Sequence, residues 1–231
     1  MGFLFVLTAF MLGIFAHWAI SRGAFDVRQV RIVGARYSDP RDVLSAASSG
    51  LEGGVFRDFS DVRFAVERMP IVRRAEVDRV PPDRVVIRIE EREPIAILAG
   101  GICRPIDENG WLLPLSPADV GLDLPIIQLA GQQVREAEGR VEIEPVQVAL
   151  GFLRELRELS PQFLKDISVL SVDEDGSIRL ATVRRDIRIH FGAGETTGTL
   201  RLLEEVLNDI ERKGMTSCHV DLRYDSQVVV H

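Results

Sequence analysis

Cysteine is scarce in this chain of 231 residues, because only Cys103 and Cys218 occur and they are far apart in the sequence. No Cys-x-x-Cys pair is present, which excludes the common thiol redox motif and the cysteine-based zinc sites. Two separate strand thiols and one disulfide both fit, since two positions alone define no pairing. The histidines also lack the spacing of metal ligands and lie at His17, His190, His219 and His231. The sequence therefore predicts no metal site and no cofactor.

Lysine is nearly absent as well, since Lys165 and Lys213 are the only two and arginine supplies the other basic side chains. The formal net charge is −7, and no basic stripe is interleaved with aromatic residues. Nucleic acid is therefore not expected as a partner. The acidic balance also disfavours a chain that lies flat on anionic lipid.

Motifs for catalysis are missing too. No Gly-x-Ser-x-Gly occurs, and residues 192–195 (GAGE) resemble half a phosphate loop without its Lys-Ser/Thr pair, so we interpret them as a strand-to-helix turn. The acidic runs at residues 90–93 and 173–175 are interpreted as solvated strand ends and turns. We predict that the protein is not an enzyme. A membrane-anchored cell-wall hydrolase is the catalytic alternative, since any two acids could meet in space without a telltale spacing.

Only one long apolar run exists, and it opens the chain. Residues 2–20 (GFLFVLTAFMLGIFAHWAI) carry no formal charge and would form a helix about 28 Å long, close to the thickness of a bilayer core. This predicts a transmembrane anchor over residues 1–22. A cleaved signal peptide is the alternative, but no positive charge precedes the run and no small-x-small site follows it. The nearest arginines all follow the span, so the positive-inside rule alone would place the large domain in the cytoplasm, and charge leaves the orientation open.

The next 70 residues predict a small β-α-α-β-β domain over residues 25–93. A strand over residues 25–33 ends at Gly34, and Pro40 suits the first turn of a helix that runs to about residue 48. A second helix follows, because Val62, Ala65, Val66 and Met69 recur on one face. Strands over residues 72–80 and 84–92 complete the pattern. Two helices on one face of this sheet would bury both amphipathic stripes.

From residue 94 to residue 231 the pattern predicts a β-rich domain with two helices, so the whole chain is of the α+β class. Short strands are predicted at 95–99, 102–106, 126–129, 167–172, 178–182 and 187–191. The helices are marked by a stripe from Val146 to Leu156 and another from Leu200 to Ile210. A final strand over residues 218–224 precedes the apolar residues 228–230. That strand is either paired on one side only, with a free edge for a partner strand, or paired fully within its own sheet.

Several of these segments resemble the FtsQ/DivIB family of bacterial cell-division proteins. Residues 69–77 (MPIVRRAEV) and 82–96 (PDRVVIRIEEREPIA) match the family's Leu-Pro-Trp-Val-like start, its basic-Pro turn and its strand ending in Glu-Arg-x-Pro-x-Ala. Residues 107–110 (DENG) resemble its Asp-x-x-Gly turn, and residues 220–226 (VDLRYDS) its C-terminal strand. The resemblance spans residues 25–226.

The resemblance implies a short cytoplasmic tail, one transmembrane helix, a POTRA domain and a β-rich domain in the periplasm. It implies a divisome scaffold at the division septum, linked to upstream proteins such as FtsK through the POTRA domain. FtsB would add a β-strand at the C-terminal strand, and FtsL would join through it. The partner-binding residues are then expected to be Arg223, Tyr224, Asp225, Ser226 and Val228. The alternative is a POTRA module of a secretion or assembly system, which predicts repeated POTRA units that the sequence does not display.

Overall fold

In the computed structural model the chain forms two compact units, Met1–Arg92 and Glu93–His231. The first helix, α1, covers Gly2–Ser21. In the part of the chain that the structure describes, none of the helices combines the length and the apolar character needed to cross a membrane. The structure describes residues 2–21, 23–101, 103–116, 123–129, 139–184, 187–194, 196–213, 218–224 and 227–230.

The first unit contains the β-α-α-β-β arrangement that the sequence predicts. Its elements are β1 (Gln29–Val33), α2 (Pro40–Ala47), α3 (Ser60–Glu67), β2 (Val72–Val80) and β3 (Arg84–Glu91). The strands lie in the order β1-β3-β2, with β1 parallel to β3 and β2 antiparallel to it. Helix α2 begins where expected, because the Asp39 carboxylate accepts a hydrogen bond from the Arg41 N–H at 2.8 Å and Pro40 needs no partner for its nitrogen.

The core of this unit is formed by the apolar faces of its helices and of its middle strand. Val43, Ala47, Val62 and Val66 of the helices are buried with Val85 and Ile87 of β3. Gly34 ends β1 with a φ of +98°, and a Cβ there would lie 2.0 Å from the carbonyl oxygen of Ile89. Glycine is therefore required where the chain leaves the sheet towards α2.

Glu91, at the end of β3, is not the solvated strand-end acid that the sequence predicts. Its carboxylate accepts hydrogen bonds from the backbone N–H groups of Arg36, Tyr37 and Ser38 at 2.8, 2.7 and 3.0 Å, and from the Ser38 hydroxyl. Burial opposes ionisation of Glu91, but the Ser38 hydroxyl and the three N–H groups outweigh it and hold its pKa below the ordinary value. The carboxylate thus fixes the loop that leads into α2.

We expect Glu91→Gln to loosen this loop by about 2 kcal/mol at neutral pH, which would speed amide hydrogen exchange at Tyr37 and Ser38 about 30-fold. A lowered folded pKa contributes stability that is present above the unfolded pKa and is lost as the pH falls through the folded pKa. The difference between the variant and the parent should therefore shrink in acid. Glu90→Gln is the matched control, because the Glu90 side chain is 59% exposed and its Oε1 lies 3.7 Å from Nε of Arg73. Equal exchange rates in both variants would contradict the role of Glu91.

The second unit is built on one eight-stranded sheet. Its strands are β4 (Pro94–Ala99), β5 (Cys103–Asp107), β6 (Ile126–Gln128), β7 (Ile167–Val172), β8 (Ile178–Thr182), β9 (Ile187–Phe191), β10 (Cys218–Tyr224) and β11 (Gln227–Val230). They lie in the order β11-β10-β9-β8-β7-β6-β4-β5. The helices are α4 (Glu144–Leu159), α5 (Pro161–Leu164) and α6 (Thr196–Lys213).

The core of the second unit lies between the long helices and one face of the sheet. Leu150, Leu153 and Leu156 of α4 and Leu203 of α6 are buried among the inward-facing residues of the strands. Along β9 the buried residues alternate with exposed or half-buried ones, so the sheet presents its other face outward. The predicted Asp-x-x-Gly turn is confirmed, because the Asp107 carboxylate accepts from the N–H groups of Asn109 and Trp111.

The structure corrects two expectations for this unit. The apolar residues 228–230, predicted as a tail, belong to β11, and the short helix α5 adds a third helix to the two predicted. The expectation of two separate strand thiols is confirmed, because both cysteines are free and lie on strands. Cys103 is exposed on β5, whereas Cys218 is buried on β10, where burial raises its pKa.

Candidate functional site

The candidate site is the end of the eight-stranded sheet that β10 and β11 form. Strand β10 pairs in parallel with β9, with Cys218 opposite Ile187 and Leu222 opposite Phe191. On its other flank β10 pairs antiparallel with β11. The predicted strand over residues 218–224 is therefore paired on both sides by its own chain, so the alternative of a free edge on this strand is wrong and that of full pairing within its own sheet is confirmed. Among the described strands, β11 is the outermost one at this end of the sheet, so β11 forms the outer edge.

Three of the five predicted partner-binding residues lie in the described part of this edge. Arg223 and Tyr224 end β10, and Val228 lies in β11. Tyr224 is opposite Gln227 in the register, after an irregularity that begins beyond Asp221. Asp225 and Ser226 lie outside the described residues.

Asp221 is a polar residue of this site that the sequence did not single out. It is 9% exposed, and its carboxylate accepts hydrogen bonds from Arg223 through the backbone N–H at 3.1 Å, Nε at 3.0 Å and Nη2 at 2.6 Å. The Arg223 side chain, helped by its backbone N–H and opposed by burial, lowers the pKa of Asp221 to about 2. This ion pair holds the Arg223 guanidinium near the end of β10, beside the candidate edge.

The fold also brings together two histidines that the sequence leaves apart. In the parallel register Asp221 is opposite His190, and His219 is two residues earlier on the same strand face. One ligand atom from each of these three side chains lies within 4.8 Å of the others. Burial, and next the charge of Arg223, lower the pKa of His190, so the neutral imidazole is favoured. The sequence could not predict this arrangement, because 28 residues separate the two histidines and only strand pairing brings them together.

A groove of about 490 Å³ crosses the outward side of the sheet next to these residues. Gln128, Ser171, Ala181 and His219 are among the residues that line it, together with two arginines, Arg179 and Arg188. Arg179 forms an ion pair with Asp173. The groove is thus an open surface with both apolar and basic character.

Residues 192–194 connect β9 to α6, which confirms the interpretation of this glycine-rich segment as a strand-to-helix turn. A Cβ on Gly192 would lie 3.4 Å from both Cα and the carbonyl oxygen of Arg223, so the turn packs closely against the end of β10.

Two family models match the chain. The model described as "Cell division protein FtsQ/DivIB, C-terminal" covers residues 96–223, and the model described as "POTRA domain, FtsQ-type" covers residues 25–92. The first matches most of the second unit, and the second matches the β-α-α-β-β domain of the first unit.

Curated relatives agree with the family models, and three of them illustrate the match, each named "Cell division protein FtsQ". The relative from Syntrophotalea carbinolica is 23% identical over 207 residues, which cover 89% of this chain and 73% of the relative. For Anaeromyxobacter sp. the identity is 28% over 204 residues, with 85% and 68% covered. For Thiomonas arsenitoxydans it is 26% over 225 residues, with 93% and 78% covered. The chain therefore belongs to the FtsQ/DivIB family of cell-division proteins.

Proposed function

We propose that this chain is a non-enzymatic scaffold of the divisome that captures FtsB by β-strand addition at β11. FtsL is held through FtsB, and the POTRA domain connects the complex to upstream proteins such as FtsK. The scaffold thereby links early and late division proteins at the septum. The observation that carries the proposal is the position of β11 as the outermost strand at its end of the sheet.

An outermost strand offers a row of backbone N–H and C=O groups to an extended segment of a partner. Each hydrogen bond of such a pairing contributes only about 1 kcal/mol net, so affinity needs apolar contact beside it. The sequence of β11, QVVV, places valines along this strand. Arg223 and Tyr224 at the end of β10 would supply the side-chain contacts that select one partner.

Anchorage by α1 is part of the same proposal. Six large apolar side chains in the described part of this helix are exposed, including Val6 and Phe10 at 66% and Leu12 at 72%. Apolar surface of this extent favours a covering phase, and residues 2–20 carry no formal charge. In this proposal the chain lies in the inner membrane with a single pass, with its N-terminus in the cytoplasm and residues 25–231 in the periplasm.

The test is a pull-down of the full chain from detergent-solubilised membranes. We expect FtsB and FtsL to co-purify with the wild type and to be depleted by Tyr224→Ala. The chain has only two tyrosines, so Tyr37→Ala in the POTRA domain is the matched control and should retain both partners. The proposal fails if neither small protein co-purifies with the wild type, or if both tyrosine variants lose them equally.

A further inference from the structure

Three side chains with metal-ligating atoms converge on the outward face of the sheet. His190 lies on β9, and His219 and Asp221 lie on β10. Their neighbours Ile189 and Val220 are buried in the core, so the three project from the opposite face of the same two strands. One ligand atom from each lies within 4.8 Å of the other two, close enough for a single ion to bind all three.

The surroundings of this cluster suit a bound ion. The side chain of His190 is 15% exposed and that of Asp221 is 12% exposed, which limits competition from water. His219 is exposed and lines the groove on this face, so an ion can enter from solvent. Nε2 of His190 lies 3.4 Å from the Ser177 hydroxyl and 3.9 Å from a carboxylate oxygen of Asp173. The Ser177 hydroxyl is within hydrogen-bond reach of this nitrogen, and such a partner behind a ligating imidazole helps to orient the ring.

We propose that His190, His219 and Asp221 bind one Zn²⁺ ion. Two imidazoles and a carboxylate form a ligand set that zinc accepts, and three protein ligands leave one position for water. The ion would tie β9 to β10 beside the edge that β11 completes. This site is independent of the proposed capture of FtsB.

Arg223 competes with the ion for the same carboxylate. Its Nη2 lies 2.6 Å from Oδ2 of Asp221, and its Nε and backbone N–H both reach Oδ1. A carboxylate has about four acceptor positions, and these contacts occupy most of them. The guanidinium must therefore turn away when Asp221 coordinates zinc, so removal of Arg223 should strengthen zinc binding.

The test is a titration of the full chain, purified in detergent without a polyhistidine tag, with zinc chloride alone by isothermal titration calorimetry. We expect one ion per chain for the wild type. His219→Ala should weaken binding by at least about tenfold, and it is the safest variant for folding because its side chain is exposed. His190→Ala should do the same. His17→Ala, which removes a histidine of the first unit, is the matched control and should bind as the wild type does.

Arg223→Gln separates coordination from adventitious binding to surface histidines. We expect it to bind zinc several-fold more tightly, whereas the histidine variants bind more weakly. Cobalt(II) added in place of zinc should give the visible absorption of a low-coordinate site in the wild type and not in His219→Ala. The absence of saturable binding, or equal affinity of the wild type and both histidine variants, would overturn the site. Unchanged affinity in Arg223→Gln would overturn Asp221 as a ligand.

Discussion

Replacing Leu153 with alanine is expected to lower the free energy of unfolding of the second unit by about 3–4 kcal/mol. Leu153 lies on α4 with none of its surface exposed and belongs to the core between the helices and the sheet. The change removes one methine and two methyl carbons and leaves a cavity that the surrounding side chains fill only in part. A loss of this size is a large fraction of the stability of an ordinary domain.

Urea unfolding followed by Trp111 fluorescence measures this loss in the second unit. The chain has two tryptophans, so the measurement is made in a Trp18→Phe background that leaves Trp111 as the only reporter. Leu159→Ala on the same helix is the matched control, because Leu159 is 42% exposed and its truncation should cost less than about 1 kcal/mol. If the two variants unfolded at the same urea concentration, the described packing of α4 would be wrong.

The prediction of α4 from the sequence is correct for a simple reason. Helical periodicity places residues that are three and four apart on one face, and this holds whatever lies opposite the helix. The predicted stripe of Val146, Ala149, Leu150, Leu153 and Leu156 is buried throughout. Phe152 is buried too, because α4 is covered on more than the single stripe that the periodicity marks. Local patterns thus predicted most of the elements of both units, with β11 and α5 as exceptions.

Contacts between distant segments could not be predicted in this way. The role of Glu91 depends on backbone groups more than 50 residues away along the chain. Strand alternation puts Glu91 on the buried face of β3 and Glu90 on the other face, but it does not identify the groups that Glu91 contacts. The meeting of His190 and Asp221 depends on the parallel register of β9 and β10. The sequence did not predict β11 as the edge strand, because a run of three valines is too short to mark a strand by alternation. In each case contacts between segments that are distant along the chain, and not residue type, decide the outcome.

A proline at position 228 or 229 is expected to weaken partner capture strongly in one of the two variants while the fold is retained. Consecutive N–H groups along a strand point to opposite flanks, so of Val228 and Val229 one directs its N–H towards β10 and the other towards the outer edge. Proline removes that N–H and adds a ring where a partner strand would pair. We expect the variant at the outward position to bind FtsB at least about tenfold more weakly, which corresponds to about 1.4 kcal/mol.

Alanine at the same two positions is the control, because it shortens the side chain and keeps the N–H. Affinity for purified FtsB is measured by titration, and the urea midpoint of each variant shows whether the second unit remains folded. A backbone-mediated interaction predicts that one proline variant loses the partner with an unchanged midpoint and that both alanine variants bind more strongly than it does. Two folded proline variants with wild-type affinity would show that FtsB does not add a strand at β11, and side-chain contacts at Arg223 and Tyr224 would then have to carry the interaction without it.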